Sequence, residues 1–387
     1  MKKIIIVNYE YPPLGGGGGI AARDLALEWS KTAQVDVLTS SFKGLPAFEV
    51  CDGINIYRAK ILFRKSRDAA TFISMFSFVF FGFFLGMKLF KKNSYDIVNT
   101  HFALPTGPLS YILCKIFKIP NVLSIHGGDI YDPSKKLSPH RNIFFRKIVN
   151  KMMNKADVVV AQSNNTMENA NKYYRLNKDV KIIPLAFNRP LLKKISRKKL
   201  KLKDDKFYIS TIGRVIKRKG LDTAIKAIAS LKNDDIIFLI MGDGPEKENL
   251  QKLVSDLKIS KSVKFLGFVN DEQKYSYLQN SDMFLMTSLH EGFGIVFMEA
   301  MYCGVPIVST NHGGQTDFLK NEENSLLIDV GDVEACSKSI DRIFKKKTFR
   351  SKISKAGKID VKQFYAENIA KQYLEIFKKV TGENFDL

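Results

Sequence analysis

Residues 288–310 read SLHEGFGIVFMEAMYCGVPIVST, with one carboxylate, Glu291, before a Gly-Phe-Gly turn and a second, Glu299, inside the apolar stretch that follows. Such a stretch reads as a helix starting near Gly294, Ile295 and Val296. A helix start offers unpaired backbone N–H groups and partial positive charge, which suits a phosphate. A bare acid beside a phosphate is repelled, so Glu291 is expected to face uncharged hydroxyls such as those of a sugar. Glu299 lies more than a turn further on, where a carboxylate can accept two hydrogen bonds from a vicinal diol such as a ribose. The alternative is a structural acid. Among Phe297, Met298, Ala300 and Met301, burial would be costly without a partner.

A second group of chemically able residues lies in STIGRVIKRKGLDTAIKAI, where Arg214 and Lys219 follow a strand-like run. A planar fork and a mobile point charge together suit a pyrophosphate, although exposed cations are also ordinary solvated groups. Near the chain start, YPPLGGGGGIAARDLA carries glycines at 15–19 ahead of a helix expected near Ile20. Glycine lets a backbone approach a ligand closely, which makes Gly16 and Gly17 candidates for donor contact. The alternative is a flexible turn. The run fails G-x-G-x-x-G, because Ile20 stands in the last glycine's place, and it lacks the Gly-Lys-Ser/Thr of a phosphate-binding P-loop. Dinucleotide and P-loop readings therefore lose support.

These residues must be held by something, and the pattern says what. Apolar runs at 3–8, 34–40, 54–59, 95–101, 121–127, 156–163 and 180–186 read as strands, most of them separated by helix-length segments. Buried Val/Ile runs between helices indicate a parallel sheet. Residues 189–206 are lysine-rich and follow Asn188, reading as an exposed linker. A second series of strands follows: FYISTIGR, IIFLIMGDG, VKFLGFV, MFLMTS, VPIVST and SLLID. The expectation is an N-terminal domain over 1–188, a linker, and a C-terminal domain over 207–363. Both would be doubly wound α/β folds, which bind ligands at the carboxyl ends of their strands.

As a set, Glu291-x-Phe293-Gly294-x4-Glu299, Gly213-Arg214…Lys219-Gly220 and Asn311-His-Gly-Gly314 resemble the retaining glycosyltransferases of family 4. The resemblance implies the GT-B fold, two Rossmann-like domains facing across a cleft, over nearly the whole chain. It implies a nucleotide-sugar donor bound in the C-terminal domain, the acceptor bound in the N-terminal domain, and no metal or other cofactor. By it, Arg214 and Lys219 neutralise the donor pyrophosphate, and Glu291 holds hydroxyls of the transferred sugar. Glu299 binds the ribose, the N–H groups near Ile295 and Val296 bind phosphate, and Phe293 and Gly294 also contact the donor. Phe268 and Val269 resemble a base-contacting segment. SIHGGD places His126, Gly127 and Asp129 after a strand; the resemblance puts all three on the acceptor side and this histidine beside the reacting sugar, where core packing would otherwise be the default. Residues 364–387, with helical spacing of Phe, Tyr, Ile and Leu, are expected to cross back onto the first domain. A UDP-sugar is the prior donor, followed by a GDP-sugar. The rivals are a nucleotide-sugar epimerase or phosphorylase of the same fold, or a non-catalytic membrane scaffold.

Composition bears on the partner. The 387 residues are 45% apolar with a formal charge of +22 (61 Lys and Arg against 39 Asp and Glu), a balance suited to an anionic partner. No zinc-finger spacing or RNP-like motif supports nucleic acid. Cys51, Cys114, Cys303 and Cys336 show no metal-ligand spacing, so a reduced cytosolic setting is expected. The N-terminal apolar run is too short for a signal peptide. Residues 69–87, AATFISMFSFVFFGFFLGM, carry no charge and would reach roughly 28 Å as a helix. Basic residues flank both ends: Arg64, Lys65, Arg67, Lys88, Lys91 and Lys92. A bilayer span would separate strands that belong to one sheet. The expectation is a helix packed partly on its domain and partly in a lipid surface, with Phe72, Phe76, Phe80, Phe83 and Phe84 as contacts. A wholly buried helix is the alternative. The protein is then cytoplasmic, peripheral at the inner face of the cell membrane, with a lipid-linked or surface-glycan acceptor.

Overall fold

The computed structural model describes residues 1–64, 70–193 and 195–385. Lys65, Arg67 and Ala69, named above at the start of the apolar segment, lie outside the described residues. The chain divides into two compact units, Met1–Asn188 with Phe364–Leu387, and Arg189–Gln363.

In the first unit, elements alternate as β1 (Lys3–Asn8), α1 (Gly17–Trp29), β2 (Gln34–Ser40), β3 (Phe48–Cys51), β4 (Ile54–Ala59), α2 (Phe72–Lys92), β5 (Ile97–His101), α3 (Thr106–Phe117), β6 (Asn121–Ile125), α4 (Ile143–Lys155), β7 (Val158–Ala161), α5 (Asn164–Tyr173) and β8 (Val180–Ile182). The sheet order is β3-β4-β2-β1-β5-β6-β7-β8. All neighbours are parallel except β3 and β4. Ile4, Ile5, Ile6 and Val7 are all buried, because helices cover both faces of a parallel sheet. The hairpin strand β3 escapes a search for apolar runs, since Glu49 interrupts it and most of it is exposed. Its turn is Asp52-Gly53, both at positive φ (50° and 78°), the chemistry of a two-residue hairpin. Strand β5 begins at Ile97 rather than at 95, because the Asp96 carboxylate accepts the Lys3 N–H at 2.7 Å and ends the ladder there.

Helix α2 is capped by Thr71 and Ser74, each side chain bonded to the other's backbone N–H. One face is seated on the unit. Ser74 bonds the Tyr9 hydroxyl at 2.8 Å, and Phe78 is fully buried edge-on to Tyr9. Gly82 and Gly86 let α3 come close, since a Cβ on either would fall within 2.8 Å of Leu109 or Leu113. The opposite face leaves Phe76, Phe80 and Phe84 at 58–65% exposure. Phe72 is also exposed and stacks on Phe145. Phe83 departs from the expectation: it is partly buried and packs against the core, because its position turns it toward the unit. By length and composition α2 is able to cross a membrane, yet β4 and β5 on either side of it lie in one sheet.

The second unit contains β9 (Phe207–Ile212), α6 (Leu221–Leu231), β10 (Ile236–Met241), α7 (Lys247–Asp256), β11 (Val263–Gly267), α8 (Asp271–Gln279), β12 (Met283–Met286), α9 (Ile295–Cys303), β13 (Ile307–Thr310), β14 (Ser325–Ile328), α10 (Val333–Lys345) and α11 (Lys347–Asp360). Its sheet, β11-β10-β9-β12-β13-β14, is parallel throughout. The lysine-rich stretch after Asn188 packs on this unit. Leu202 is buried, and Arg197 bonds Asp282 at 2.8 Å and the Lys206 and Asn280 carbonyls.

The last helix, α12 (Ala366–Thr381), belongs to the first unit. It is tied by the Phe187–Tyr365 bridge and presses Tyr373 and Phe377 onto Trp29, with ring centroids 5.8 and 5.1 Å away. Phe377 is fully buried, and deletion of a buried phenyl ring costs about 3–5 kcal/mol. Phe377→Ala is expected to lower the stability of the first unit by that amount. Urea titration followed by fluorescence of Trp29, the chain's single tryptophan, checks this.

Candidate active site

In the second unit the site is built where β9 and β12 end. After Ile212 the chain turns at Gly213, whose carbonyl lies so close to Gly242 that a Cβ there would be 1.9 Å from it. The turn Lys217–Lys219 follows and closes at Gly220, at φ 56°, pressed against the Thr287 carbonyl. This packing carries Lys219 and Arg218 to the loop after β12. Lys219 Nζ lies 2.5 Å from Glu291 Oε1, Arg218 Nη1 lies 3.2 Å from Oε2, and the Ser288 hydroxyl donates to Oε1 at 2.6 Å. Glu291 is 5% exposed. Burial alone would raise its pKa, but Lys219 and Arg218 outweigh it and hold it down at about 2. The loop is fixed from behind by the Asn-His-Gly-Gly segment. Gly314 N–H donates to the Glu291 carbonyl at 2.8 Å, and a Cβ on Gly313 would lie 2.6 Å from that oxygen.

Arg214 is placed differently from Lys219. It is exposed at the strand end and makes no ion pair among the described residues. Arg218, which pattern reading passed over, is the cation that joins Lys219 on Glu291. Its role was hidden in a KRK run where any of the three had equal claim.

Helix α9 starts at Ile295 with Gly294 as its cap residue, at φ 92°, and no side chain caps it. The first N–H groups, at Ile295 and Val296, therefore keep the character expected for binding an anion. Phe293, proposed as a donor contact, instead lies 2% exposed against Phe318 with centroids 4.8 Å apart. The apolar core claims its ring, and it anchors the loop. Glu299 is buried, and its Oε1 accepts from Lys274 at 2.7 Å and from Tyr275 at 3.3 Å. Lys274 loses by burial, but Glu299 and Asp271 raise its pKa above the ordinary lysine value. Lys274 and Tyr275 satisfy Glu299 through one oxygen, as the structural-acid alternative requires. At the end of β11, Phe268 is 77% exposed and Val269 half-buried, so the Phe268 ring is free to stack on a planar group.

In the first unit, helix α1 begins at Gly17, earlier than the Ile20 expected, with Gly16 as cap. The Gly16 N–H is taken by the Glu10 carboxylate at 3.2 Å, which works against a phosphate at that spot. Gly18 is required by close approach: a Cβ would lie 2.6 Å from Phe102 and 3.2 Å from His126 Nδ1. His126 follows β6 and bonds His101 of β5 at 2.9 Å. Burial lowers its pKa to about 4, so the ring is neutral at pH 7. Gly127, at φ 80°, makes the turn. Asp129, expected on the acceptor side, spends both oxygens on the backbone, accepting Ala103 N–H at 2.6 Å and His126 N–H at 2.8 Å. It ties the loops after β5 and β6 together and fixes the His126 backbone. Burial raises its pKa to about 6. No cluster of three His, Cys, Asp or Glu able to hold a metal occurs among the described residues.

The Glu291 charge has a pH signature. Its folded pKa, about 2, lies below the unfolded value near 4.5. The associated stability is present above pH 4.5 and is lost as pH falls toward 2. Between pH 5 and pH 3 the wild type is expected to lose about 2 kcal/mol more than Glu291→Gln, at 1.36 kcal/mol per pH unit. Urea titrations of both proteins at the two pH values check this.

The chain matches two family models, "Glycosyltransferase Family 4" over residues 15–189 and "Glycosyl transferases group 1" over residues 193–360. It is 28% identical to an uncharacterized glycosyltransferase of Methanocaldococcus jannaschii over 97% of this chain and 98% of that one. It is 35% identical to a lipopolysaccharide core biosynthesis glycosyltransferase of Rhizobium meliloti over 47% of this chain and 53% of the relative. Among solved structures, the Anabaena HepE protein in complex with UDP-glucose superimposes with a TM-score of 0.77 at 20% identity, over 98% of this chain and 100% of that one. The two parallel sheets, the loops at their carboxyl ends and these matches lead to one conclusion: the chain belongs to the family 4, group 1 glycosyltransferases of the GT-B fold and is a glycosyltransferase.

Proposed function

We propose that the protein is a retaining, metal-independent glycosyltransferase that moves a sugar from a UDP-sugar to a lipid-linked or surface-glycan acceptor at the inner face of the cell membrane. The observation that carries this reading is Glu291, buried and ionised between Lys219 and Arg218 beside the uncapped start of α9. Cleaving a sugar–phosphate bond builds negative charge on the leaving diphosphate and positive charge on the sugar. Lys219, Arg214 and the α9 N–H groups answer the first charge. Lys219 and the N–H groups are held in place before reaction, so little reorganisation is needed from them. Glu291 accepts from sugar hydroxyls, Glu299 from the ribose, and Phe268 stacks on the base. His126 helps place the reacting sugar, with Asp129 holding its backbone. Attack from the face the diphosphate leaves, with a leaving phosphate oxygen taking the acceptor's proton, retains configuration and needs no protein nucleophile.

The donor base follows HepE, whose complex contains UDP-glucose. The acceptor class follows the lipopolysaccharide core relative and the exposed rings of α2. Lys88, Lys91 and Lys92 close that helix, and neighbouring α3 adds exposed Ile112 and Ile116 with Lys115. Apolar rings beside cations suit a surface of anionic lipid.

Arg214→Ala and Lys219→Ala are each expected to lose at least ~2 kcal/mol of transition-state stabilisation, read as kcat/KM for UDP release from UDP-glucose; near-normal turnover in both contradicts the assignment. Saturating UDP-glucose at 100 times its Kd should add ~2.7 kcal/mol of stability, and a thermal-shift series with GDP-glucose alongside separates the bases. Full burial of a phenylalanine is worth ~1.5–3 kcal/mol, so Phe76, Phe80 and Phe84 changed together to Ser should weaken flotation with phosphatidylglycerol vesicles at least about tenfold. Equal flotation of both proteins, or none by the wild type, overturns the membrane reading.

A further inference from the structure

Glu299 sits more than a turn inside α9, whose first N–H groups no side chain caps. The last torsion of a glutamate is broad, so something outside the residue must fix where its two oxygens point. Lys274 does so from α8. Its Nζ donates to Glu299 Oε1 at 2.7 Å and to Asp271 Oδ1 at 2.7 Å, and the lysine is itself buried. The Tyr275 hydroxyl brings a second donor to the same Oε1 at 3.3 Å. Burial, with Glu299 and Asp271 nearby, raises the Tyr275 pKa far above its ordinary value, so the hydroxyl keeps its hydrogen.

A carboxylate offers about two lone pairs on each oxygen. Lys274 and Tyr275 take those of Oε1. Glu299 Oε2 takes no hydrogen bond among the described residues and is not sealed in the interior. A further donor must therefore come to Oε2, which can accept two. The place of Lys274 in the chain adds a second constraint. Strand β11 ends at Gly267, Phe268 and Val269 follow, and α8 begins at Asp271 under a cap in which the Asn270 and Gln273 side chains bond each other's backbone N–H. Lys274 lies near the start of α8, so its bond to Glu299 ties the segment carrying Phe268 to the helix carrying Glu299.

We infer that Lys274 is a positioning residue for nucleotide recognition: it fills one oxygen of Glu299 and turns the other, with both its lone pairs, toward the vicinal hydroxyls of a ribose. This deepens the transferase reading and rests on it for the identity of the ligand. The diol is then gripped by a single oxygen rather than by one oxygen for each hydroxyl. Without the lysine the carboxylate is free to turn, and either oxygen can face inward. Removal of Lys274 therefore costs the distinction between a ribose and a 2′-deoxyribose, and not only affinity.

The test is titration calorimetry of the full chain with UDP, 2′-deoxy-UDP, GDP and 2′-deoxy-GDP. The wild type should bind a ribonucleotide at least about tenfold more tightly than its 2′-deoxy form, the worth of one hydrogen bond to a charged group. Lys274→Met keeps an unbranched side chain without the charge and should lose most of that preference. Lys274→Arg restores a cation and should recover most of it. A lysine that only joined two helices would, on removal, weaken the ribo and deoxy forms alike and leave their ratio as it was. Tyr275→Phe removes the other donor on Oε1 and should lower the ratio by less, which keeps the comparison open if the methionine variant does not fold. An unchanged ratio in these variants overturns the role of Lys274 while donor binding stands. Binding of GDP without UDP removes the uridine assignment and leaves the lysine to be decided on the guanosine pair. No preference for ribose in the wild type overturns the inference, and no binding of any of the four overturns the nucleotide-sugar reading with it.

Discussion

A buried carboxylate that must stay charged is the constraint around which the second unit is arranged. Left alone, Glu291 would take up a proton, because burial disfavours its ionised form. Two cations and a hydroxyl reverse that. They arrive from a separate segment, the turn after β9, which reaches Glu291 only because Gly220 lets it close against the Thr287 carbonyl. The loop bearing Glu291 is then held from the other side by Gly313 and Gly314. Glycines here are spent on contact between backbones, and the contact serves an electrostatic end. The ion pairs that keep the acid charged also tie the loop after β12 to the turn after β9, so one arrangement fixes both segments.

The first unit meets the same problem with neutral groups. Asp129 turns its carboxylate onto two backbone N–H groups, one of them that of His126, and burial raises its pKa to about 6. The hydrogen bonds fix the loop, while the ring above it is kept uncharged by burial. Gly18 permits α1 to pass over that ring. A side chain at this position would have to displace Phe102 or the imidazole, so the glycine-rich run is better understood as clearance for His126 than as a cradle for phosphate. The Glu10 carboxylate on the Gly16 N–H points the same way.

How much of this was legible beforehand depended on whether a residue acts through its own position or through a distant partner. Buried Val/Ile runs and strand-end polar residues are local signals, so the two parallel sheets and the places of Glu291, Lys219 and His126 in the loops after their strands could be read from the chain. Arg218 could not, because nothing in a KRK run says which cation faces an acid in a loop 70 or so positions later. His101 and Lys274, which bond His126 and Glu299, escaped for the same reason. Phe293 was misplaced because an aromatic in a motif loop looks alike whether it covers a ligand or plugs the core; only the Phe318 ring distinguishes the two. The hairpin strand β3 was missed because an exposed edge needs little apolar sequence.

Helix α2 shows why composition alone decided little. Phenylalanine goes nearly all round it, which by pattern fits a bilayer span, a core helix and an interfacial helix equally. What separates these cases is where the small residues fall. Gly82 and Gly86 lie on the side that meets Leu109 and Leu113, and Ser74 and Ser77 continue that side toward Tyr9 and the Leu62 N–H. Small residues mark the face that must approach another helix. The large rings left over, Phe76, Phe80 and Phe84, therefore point away from the unit by geometry. The wholly buried helix is thereby excluded, and strands on either side that pair into one sheet remove the span. An apolar face retained at the surface, next to Lys88, Lys91 and Lys92, is the arrangement that remains.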